Sequence, residues 1–357
     1  MPYPSACLIL SDSKIWYPKF WETAIVQVFS SLDDFVKPEN GCVLTAGNFD
    51  GVHLGHQAIL ERARHLADAE SLPLVALTFD PAPVRMLRPD KIPRLLTPLE
   101  IKKRLFRQLK IDQLVVIEPT EELLALSPEK FTNQIIVDRF AACHVVEGQT
   151  FSFGKHRSGT IVTLQKLGRK LGFETHLVPA RTFVLEDTPA VAISSTLIRQ
   201  QIATGRLDLA TQCLGRFYTF FGTIVRGQGR GRHLGFPTAN IKLHHQDQLA
   251  PEDGVFAGYA RLGDDLDQVW SAQIVYRAAV SIGRCETFTD SAWQIEAFLL
   301  NYPENGPNLL DKHILLSMVE KIRPQFRYDT PRALARAIEA DCRDINQILQ
   351  RKGIPVL

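Results

Sequence analysis

The 357-residue chain has little that would tie it to a membrane, an oxidising compartment or a polyanion. No stretch approaches the roughly 18 apolar residues of a spanning helix. The short apolar run at residues 6–10 has no basic leader, which argues against a secretory signal. Lys and Arg number 41 against 39 Asp and Glu, so the net charge is +2. That is too small to draw the whole molecule to nucleic acid or anionic lipid, and any phosphate affinity must be local. The six cysteines, at positions 7, 42, 143, 213, 285 and 342, form no Cys-x-x-Cys pair and have no histidine at zinc-ligand spacing. Their dispersal argues against a disulfide framework or a zinc site and for free thiols in a cytoplasmic protein. Repeats, low-complexity segments and a Gly-x-x-x-x-Gly-Lys-Ser/Thr phosphate loop are all missing.

What is present is an ordinary globular balance, 45% hydrophobic and 22% charged, in a chain long enough for two cores. From residue 41 to about 215, strand-like runs at Cys42–Ala46, Leu74–Phe79, Gln113–Ile117, 144–146 and 175–178 alternate with helical patterns at 53–70, 98–110, 128–140 and 160–171. Such alternation predicts right-handed crossovers and a mostly parallel, doubly wound α/β sheet. Two short helices follow, at Ser195–Ala203 and 207–213. Beyond Gly215 the period changes. Runs at 217–225, 255–262, 269–276, 278–282 and 293–300 read as strands of a small closed barrel of five or six strands, and 331–349 reads as a helix packed on it. The domains are therefore expected at 24–214 and 215–350.

The first candidate site is Gly47-Asn48-Phe49-Asp50-Gly51-Val52-His53-Leu54-Gly55-His56, which joins the first strand to the first helix. Open α/β sheets bind ligands beyond the carboxyl ends of their strands, and a helix N-terminus favours phosphate. His53 and His56 are three apart and share one side of the first turn. Their placement favours donors to a nucleotide, over an unremarkable helix start with two incidental histidines or half of a metal site. The run Ser194-Ser195-Thr196 with Arg199 one turn later offers hydroxyls and a cation at another helix start, or simply a cap.

The second is Arg226-Gly227-Gln228-Gly229-Arg230-Gly231-Arg232-His233-Leu234-Gly235-Phe236-Pro237-Thr238-Ala239-Asn240. Its glycines let backbone N–H groups wrap phosphates, and Thr238 and Asn240 offer hard oxygen ligands. An RNA-binding Arg-Gly segment or a plain loop reads the same way. Glu296 stands in a mostly apolar strand, either as a general base or as a residue of the solvent-facing side.

Taken together these motifs resemble the bacterial bifunctional riboflavin kinase/FMN adenylyltransferase (FAD synthetase) family, from about residue 24 to 349. The His53-Leu54-Gly55-His56 segment is similar to the His-x-Gly-His signature of nucleotidyltransferases. Ser194 to Arg199 resembles that family's Ser-Ser-Thr-x-Ile-Arg motif on ATP, and Thr78-Phe79-Asp80-Pro81-Ala82-Pro83 its post-strand loop. Pro237-Thr238-Ala239-Asn240 resembles the most diagnostic part of the flavokinase loop. The resemblance implies a Rossmann-like adenylyltransferase domain that converts FMN and ATP to FAD and pyrophosphate. His53 and His56 would be catalytic there, with Gly47, Asn48, Phe49, Asp50, Gly51, Gly55, Ser194, Ser195, Thr196 and Arg199 binding nucleotide. It further implies a riboflavin kinase barrel with Glu296 as base. Gly227, Gly229, Gly231, Arg232, Gly235, Thr238 and Asn240 would bind ATP, the last two also Mg²⁺, and Arg323 and Phe326 would contact flavin. Riboflavin, FMN and ATP are the implied partners, without nucleic acid or membrane, in a monomer or weak homo-oligomer. Two places depart from the family pattern: Glu147 and Thr150 stand where an apolar residue and Asp or Asn are usual, and Glu286 replaces a proline. Rival readings are a kinase with a weakened first domain and a non-enzymatic flavin- or RNA-binding regulator.

Overall fold

The computed structural model describes residues 26–184, 189–284, 293–300, 302–303 and 305–352. Two compact units form, the first ending at Ser195 and the second beginning at Thr196. Residues 1–23 and Glu286 lie outside the described residues.

The first unit is built on strands β1 (Gln27–Phe29), β2 (Cys42–Ala46), β3 (Leu74–Phe79), β4 (Gln113–Ile117), β5 (Ala142–Gly148) and β6 (Glu174–Val178). They form one parallel sheet in the order β1-β4-β3-β2-β5-β6. Helix α1 (Leu54–Glu70) crosses from β2 to β3 and α2 (Leu99–Gln108) from β3 to β4. A π-helical α3 (Thr132–Arg139) leads into β5, and α4 (Ile161–Leu171) joins β5 to β6. All five residues of β2 are buried, as expected of a central strand covered on both faces. Leu44, Val75, Leu77, Val115, Phe140 and Val145 belong to the core. The chain lays β3 on one side of β2 and later returns to lay β5 on the other. Such a reversal opens a crevice at the carboxyl ends of the two flanking strands.

Helix α5 (Ser195–Ala203), whose first residue closes the first unit, and α6 (Leu207–Leu214) precede the closed antiparallel barrel of the second. Its strands are β7 (Tyr218–Val225), β8 (Ala239–Leu243), β9 (Gly254–Gly263), β10 (Tyr276–Gly283), β11 (Gln294–Leu299) and β12 (His313–Arg323). Around the barrel they run β7-β8-β11-β10-β9-β12. Helix α7 (Pro331–Lys352) packs on β9 and β10. The Tyr259 hydroxyl donates to the Leu349 carbonyl at 2.9 Å and Arg277 donates to Asn346 Oδ1 at 2.7 Å. Asp341 of α7 accepts from Arg323 Nε and Nη2 at 2.9 and 2.7 Å.

One expected strand is corrected. Residues 269–276 begin inside a short helix, Leu266–Ser271, and only Tyr276 enters β10. Reciprocal capping decides it. Asp265 Oδ1 accepts from the Gln268 N–H at 2.8 Å, while Gln268 Oε1 accepts from the Asp264 N–H at 3.0 Å. Three strands of the sheet and barrel, β1, β8 and β12, form where the sequence reading names none.

Candidate functional sites

The loop from β2 to α1 has an uncommon backbone. Phe49, Gly51 and Val52 all have positive φ, at 46°, 87° and 39°. For the two non-glycine residues such conformations cost about 1–3 kcal/mol each, so the surroundings must over-determine them. They do. The Phe49 ring is buried edge-on against Phe106 and His56, with centroids 5.4 and 5.3 Å away. Lys102, from α2, reaches the Asn48 carbonyl at 2.7 Å, and Thr78 Oγ1 approaches the same oxygen at 3.4 Å. The Asp50 carboxylate accepts from the N–H groups of Leu96 and Thr97, both within 3.1 Å at its Oδ1. The Ser195 hydroxyl donates to the Asp50 carbonyl at 2.7 Å.

That loop delivers two imidazoles to the start of α1. His53 is the N-cap, extended at φ −73° and ψ 171°, and is buried. Its Nδ1 accepts from the His56 N–H at 3.3 Å. A ring nitrogen that accepts carries no proton, so the neutral imidazole holds its N–H at Nε2 and can donate there. The two rings stack, 3.7 Å between centroids and 18° between planes. Gly55 permits this, since a Cβ there would stand 3.1 Å from the His53 ring. The α1 N-terminus adds a partial positive charge. The arrangement suits an anion that gains charge during reaction.

Lys102 and Glu147 are supports that sequence reasoning missed or read differently. Burial draws the Lys102 ammonium below its ordinary value, against the opposing pull of Asp50 and Asp80. Glu147 on β5 is buried and accepts from the Ala46 N–H on β2 at 2.7 Å. Burial pushes its carboxyl well above the usual carboxylate range, outweighing that hydrogen bond. It thus ties together the two strands that border the crevice. Thr150 is exposed in the turn after β5. Thr196 is exposed and Arg199 half-buried on α5, in the second unit.

The second site lies on the outer wall of the barrel. Along β11, Ile295, Ala297 and Leu299 point inward and are buried, while Gln294, Glu296 and Phe298 are half-buried on the other side. Glu296 is therefore not enclosed in the core. Its Oε1 accepts from Gln294 Nε2 at 2.9 Å. Across the ladder it is paired with Asn240 on β8 and with Ser281 on β10, and all three are half-buried. Gln325 Nε2 donates to the Ser281 hydroxyl at 2.7 Å, adding a polar group that sequence reading did not single out.

The glycines of the preceding loop give way to these side chains. A Cβ at Gly227 would overlap the Asn240 amide, and one at Gly231 would run into the Phe236 carbonyl and lie 3.1 Å from Thr238 Oγ1. Gly229 and Gly235 have φ of 70° and 86°, which glycine adopts without strain. Arg232 is exposed on the short helix Arg230–His233. Phe236 meets Phe298 edge-on with centroids 5.5 Å apart, which brings the loop back to the Glu296 strand. Phe326 is exposed, whereas Arg323 is half-buried over its ring at 5.6 Å and bound to Asp341.

No helix among the described residues is long and apolar enough to cross a membrane. Cys42, Cys143, Cys213 and Cys342 are free thiols, and burial pushes Cys42 up to about 12.

Comparison with known proteins matches residues 36–196 to the FAD synthetase family and residues 214–349 to the riboflavin kinase family. Bifunctional riboflavin kinase/FMN adenylyltransferase from Escherichia coli K12 is 32% identical over 304 residues, 85% of this chain and 91% of its own length. The Listeria monocytogenes protein of the same description is 34% identical, over 85% of this chain and 90% of its own. A solved Streptococcus pneumoniae structure, described as a macrolide-efflux protein, superposes with a TM-score of 0.75 at 26% identity, covering 90% of this chain and 99% of that one.

Proposed function

The chain belongs to the bifunctional riboflavin kinase/FMN adenylyltransferase family, and from that premise we infer how its two sites divide the work. Riboflavin is phosphorylated by ATP to FMN, and FMN is adenylylated by ATP to FAD with release of pyrophosphate. The observation that carries the division is that His53 and His56 lie in one compact unit and Glu296, Thr238 and Asn240 in the other. We assign adenylyl transfer to residues 24–214 and the kinase to 215–350.

In the adenylyltransferase, a phosphate oxygen of FMN attacks the α-phosphorus of ATP. The new P–O bond forms as the bond to pyrophosphate breaks. No protein nucleophile is required, and catalysis is positioning plus stabilisation of charge on the phosphoryl oxygens. His53 Nε2–H donates to that charge, the stacked His56 adds a second imidazole, and the α1 N-terminus adds its dipole. Gly47, Asn48, Phe49, Asp50 and Gly51 form the rigid floor. By the same reading Ser194 and Ser195, in the same unit as the histidines, bind nucleotide.

In the kinase, Glu296 takes the proton of the flavin 5′-hydroxyl as its oxygen attacks the γ-phosphorus and ADP leaves. Such a base is worth roughly 10²–10⁴ in rate. Its place on the outer barrel wall leaves it reachable by substrate. The glycines at 227, 229, 231 and 235 let the loop close on phosphate, with Arg232 supplying charge. The Thr238 hydroxyl and Asn240 amide oxygen form a hard donor set, and the missing Cβ at Gly227 and Gly231 keeps space beside them. That set fits Mg²⁺, which would neutralise phosphate charge there. Phe326 offers an exposed ring to the flavin, while Arg323 acts by holding α7 through Asp341. Free thiols at Cys42, Cys143, Cys213 and Cys342 accord with a cytoplasmic protein, and the +2 net charge with small-molecule partners rather than nucleic acid.

The test is to separate flavins chromatographically after incubating the purified chain with riboflavin, ATP and Mg²⁺. Riboflavin should pass through FMN to FAD. Glu296→Gln should stop FMN formation yet adenylylate supplied FMN, and His53→Ala should do the converse. Loss of both activities from either substitution in a folded protein would overturn the division. FMN accumulating alone would point to Thr150 and Glu147.

A further inference from the structure

Outside both sites, three metal-ligating side chains converge on the last two strands of the parallel sheet. His144 of β5 pairs in register with Glu174 of β6, and Val146 with His176. Residues two apart on a strand share a face, so His144, Glu174 and His176 all project from one side of the sheet. It is the side covered by α1, because a Cβ at Gly148 would meet Ile59. His144 Nδ1 and His176 Nε2 are 3.2 Å apart. Glu174 Oε2 lies 3.7 Å from the first nitrogen and 3.6 Å from the second.

We propose that His144, Glu174 and His176 form a binding site for a borderline divalent transition metal, zinc by preference, which cross-links β5 to the edge strand β6. The distances carry it. A circle through the three ligand atoms, from those separations, has a radius of about 2.0 Å, the length of Zn–N and Zn–O bonds. An ion near its centre, displaced slightly to one side of the plane as tetrahedral coordination requires, stays within about 2.0–2.2 Å of all three atoms. Two imidazoles and one carboxylate match the protein ligand set of open zinc sites, with water in the fourth position. The side chains of His144 and His176 are 14% and 20% exposed and that of Glu174 is 72% exposed, so an ion has a way in.

The electrostatics agree on balance. Burial keeps the His176 imidazole below its ordinary value, helped by His144 and Arg62 and opposed by Glu174. Arg62 on α1 opposes the ion, and Glu174 offsets it. The site is separate from the adenylyl-transfer loop. His144 is in register with Val43 near the start of β2, whereas His53 lies beyond that strand's carboxyl end. Nor would the kinase's Mg²⁺ compete, since it prefers oxygen ligands.

The test titrates the full chain, freed of metal by a chelator, with Zn²⁺ in the absence of nucleotide, following heat and Tm. Co²⁺ absorption reports coordination independently. One Zn²⁺ per chain and a raised Tm are expected. Losing an inner ligand should weaken binding beyond the ~10–100-fold typical of outer partners. His144→Ala with His176→Ala should therefore abolish uptake, and Glu174→Gln should weaken it. His53→Ala with His56→Ala should leave it intact. The milder His176→Asn and retained FAD formation from supplied FMN guard against misfolding of the first unit. No uptake at metal well above the protein concentration, equal uptake by the His144/His176 double variant, or loss in the His53/His56 variant would each overturn the proposal.

Discussion

Replacing Lys102 with methionine isolates the support beneath the 47–53 loop, to which the proposed function gives adenylyl transfer. The side chain keeps its length and loses its charge and its donors. What disappears is the 2.7 Å hydrogen bond to the Asn48 carbonyl, leaving that oxygen only the long 3.4 Å approach of Thr78. A hydrogen bond from a charged donor contributes about 1.5–3 kcal/mol. Expressed wholly as misplacement of the 47–53 loop, that corresponds to roughly 10–150-fold in rate. Global stability should change less, because removing a buried ammonium also relieves its desolvation. The prediction is therefore selective. FAD formation from supplied FMN and ATP should fall about 10–100-fold by flavin chromatography, with kcat carrying most of the loss. FMN formation from riboflavin should be unchanged in the same preparation. If adenylylation in a folded variant stayed within about twofold of the parent, the reasoning that the loop needs an imposed geometry would be refuted.

Three further outcomes are expected. Gly227→Ala drives a methyl into the Asn240 amide, so riboflavin phosphorylation should drop while adenylylation persists; equal kinase rates would show that the loop yields freely. Glu147→Gln keeps an acceptor for the Ala46 N–H and removes the titration. Because the folded-state pKa of Glu147 is raised, the folded form binds the proton more tightly, and stability gained on acidification is lost as pH rises through the folded value. The variant should thus gain stability relative to the parent toward neutral pH, read as Tm across a pH series; a constant difference would contradict the sign. Gly55→Ala presses on the His53 ring at 3.1 Å and should lower FAD synthesis with little effect on Tm, whereas an unaltered rate would mean the ring has room to move.

Sequence pattern revealed the sheet because its central strands are buried on both faces and read as continuous apolar runs. The histidine pair was legible because a helix start fixes its partners locally. The misread segment near Val269 failed for the opposite reason. Val and Trp favour strands, but Asp265 and Gln268 satisfy the backbone of a helix start, and local hydrogen bonding prevailed. Lys102 sits beside Lys103 in a polar-looking helix, and only the tertiary fold distinguishes the buried lysine from its half-exposed neighbour. Glu296 illustrates the limits of alternation. Period two correctly put it opposite the apolar residues of β11, but the side it faces is the one that the proposed function gives to substrate.

The row Asn240, Glu296 and Ser281 runs across three neighbouring strands, one residue from each. In a closed barrel such a row is a matter of chain length as much as of chemistry. A single residue inserted into or deleted from β11 would turn the carboxylate into the packed interior and bring Ile295 or Ala297 outward in its place. No compensating substitution at one position could restore the row. Lengthening the turns between these strands leaves the alignment alone. Variation in length is therefore tolerable in the connections and prohibited within β8, β10 and β11, a constraint that circular permutants or loop-insertion libraries of this barrel would have to respect.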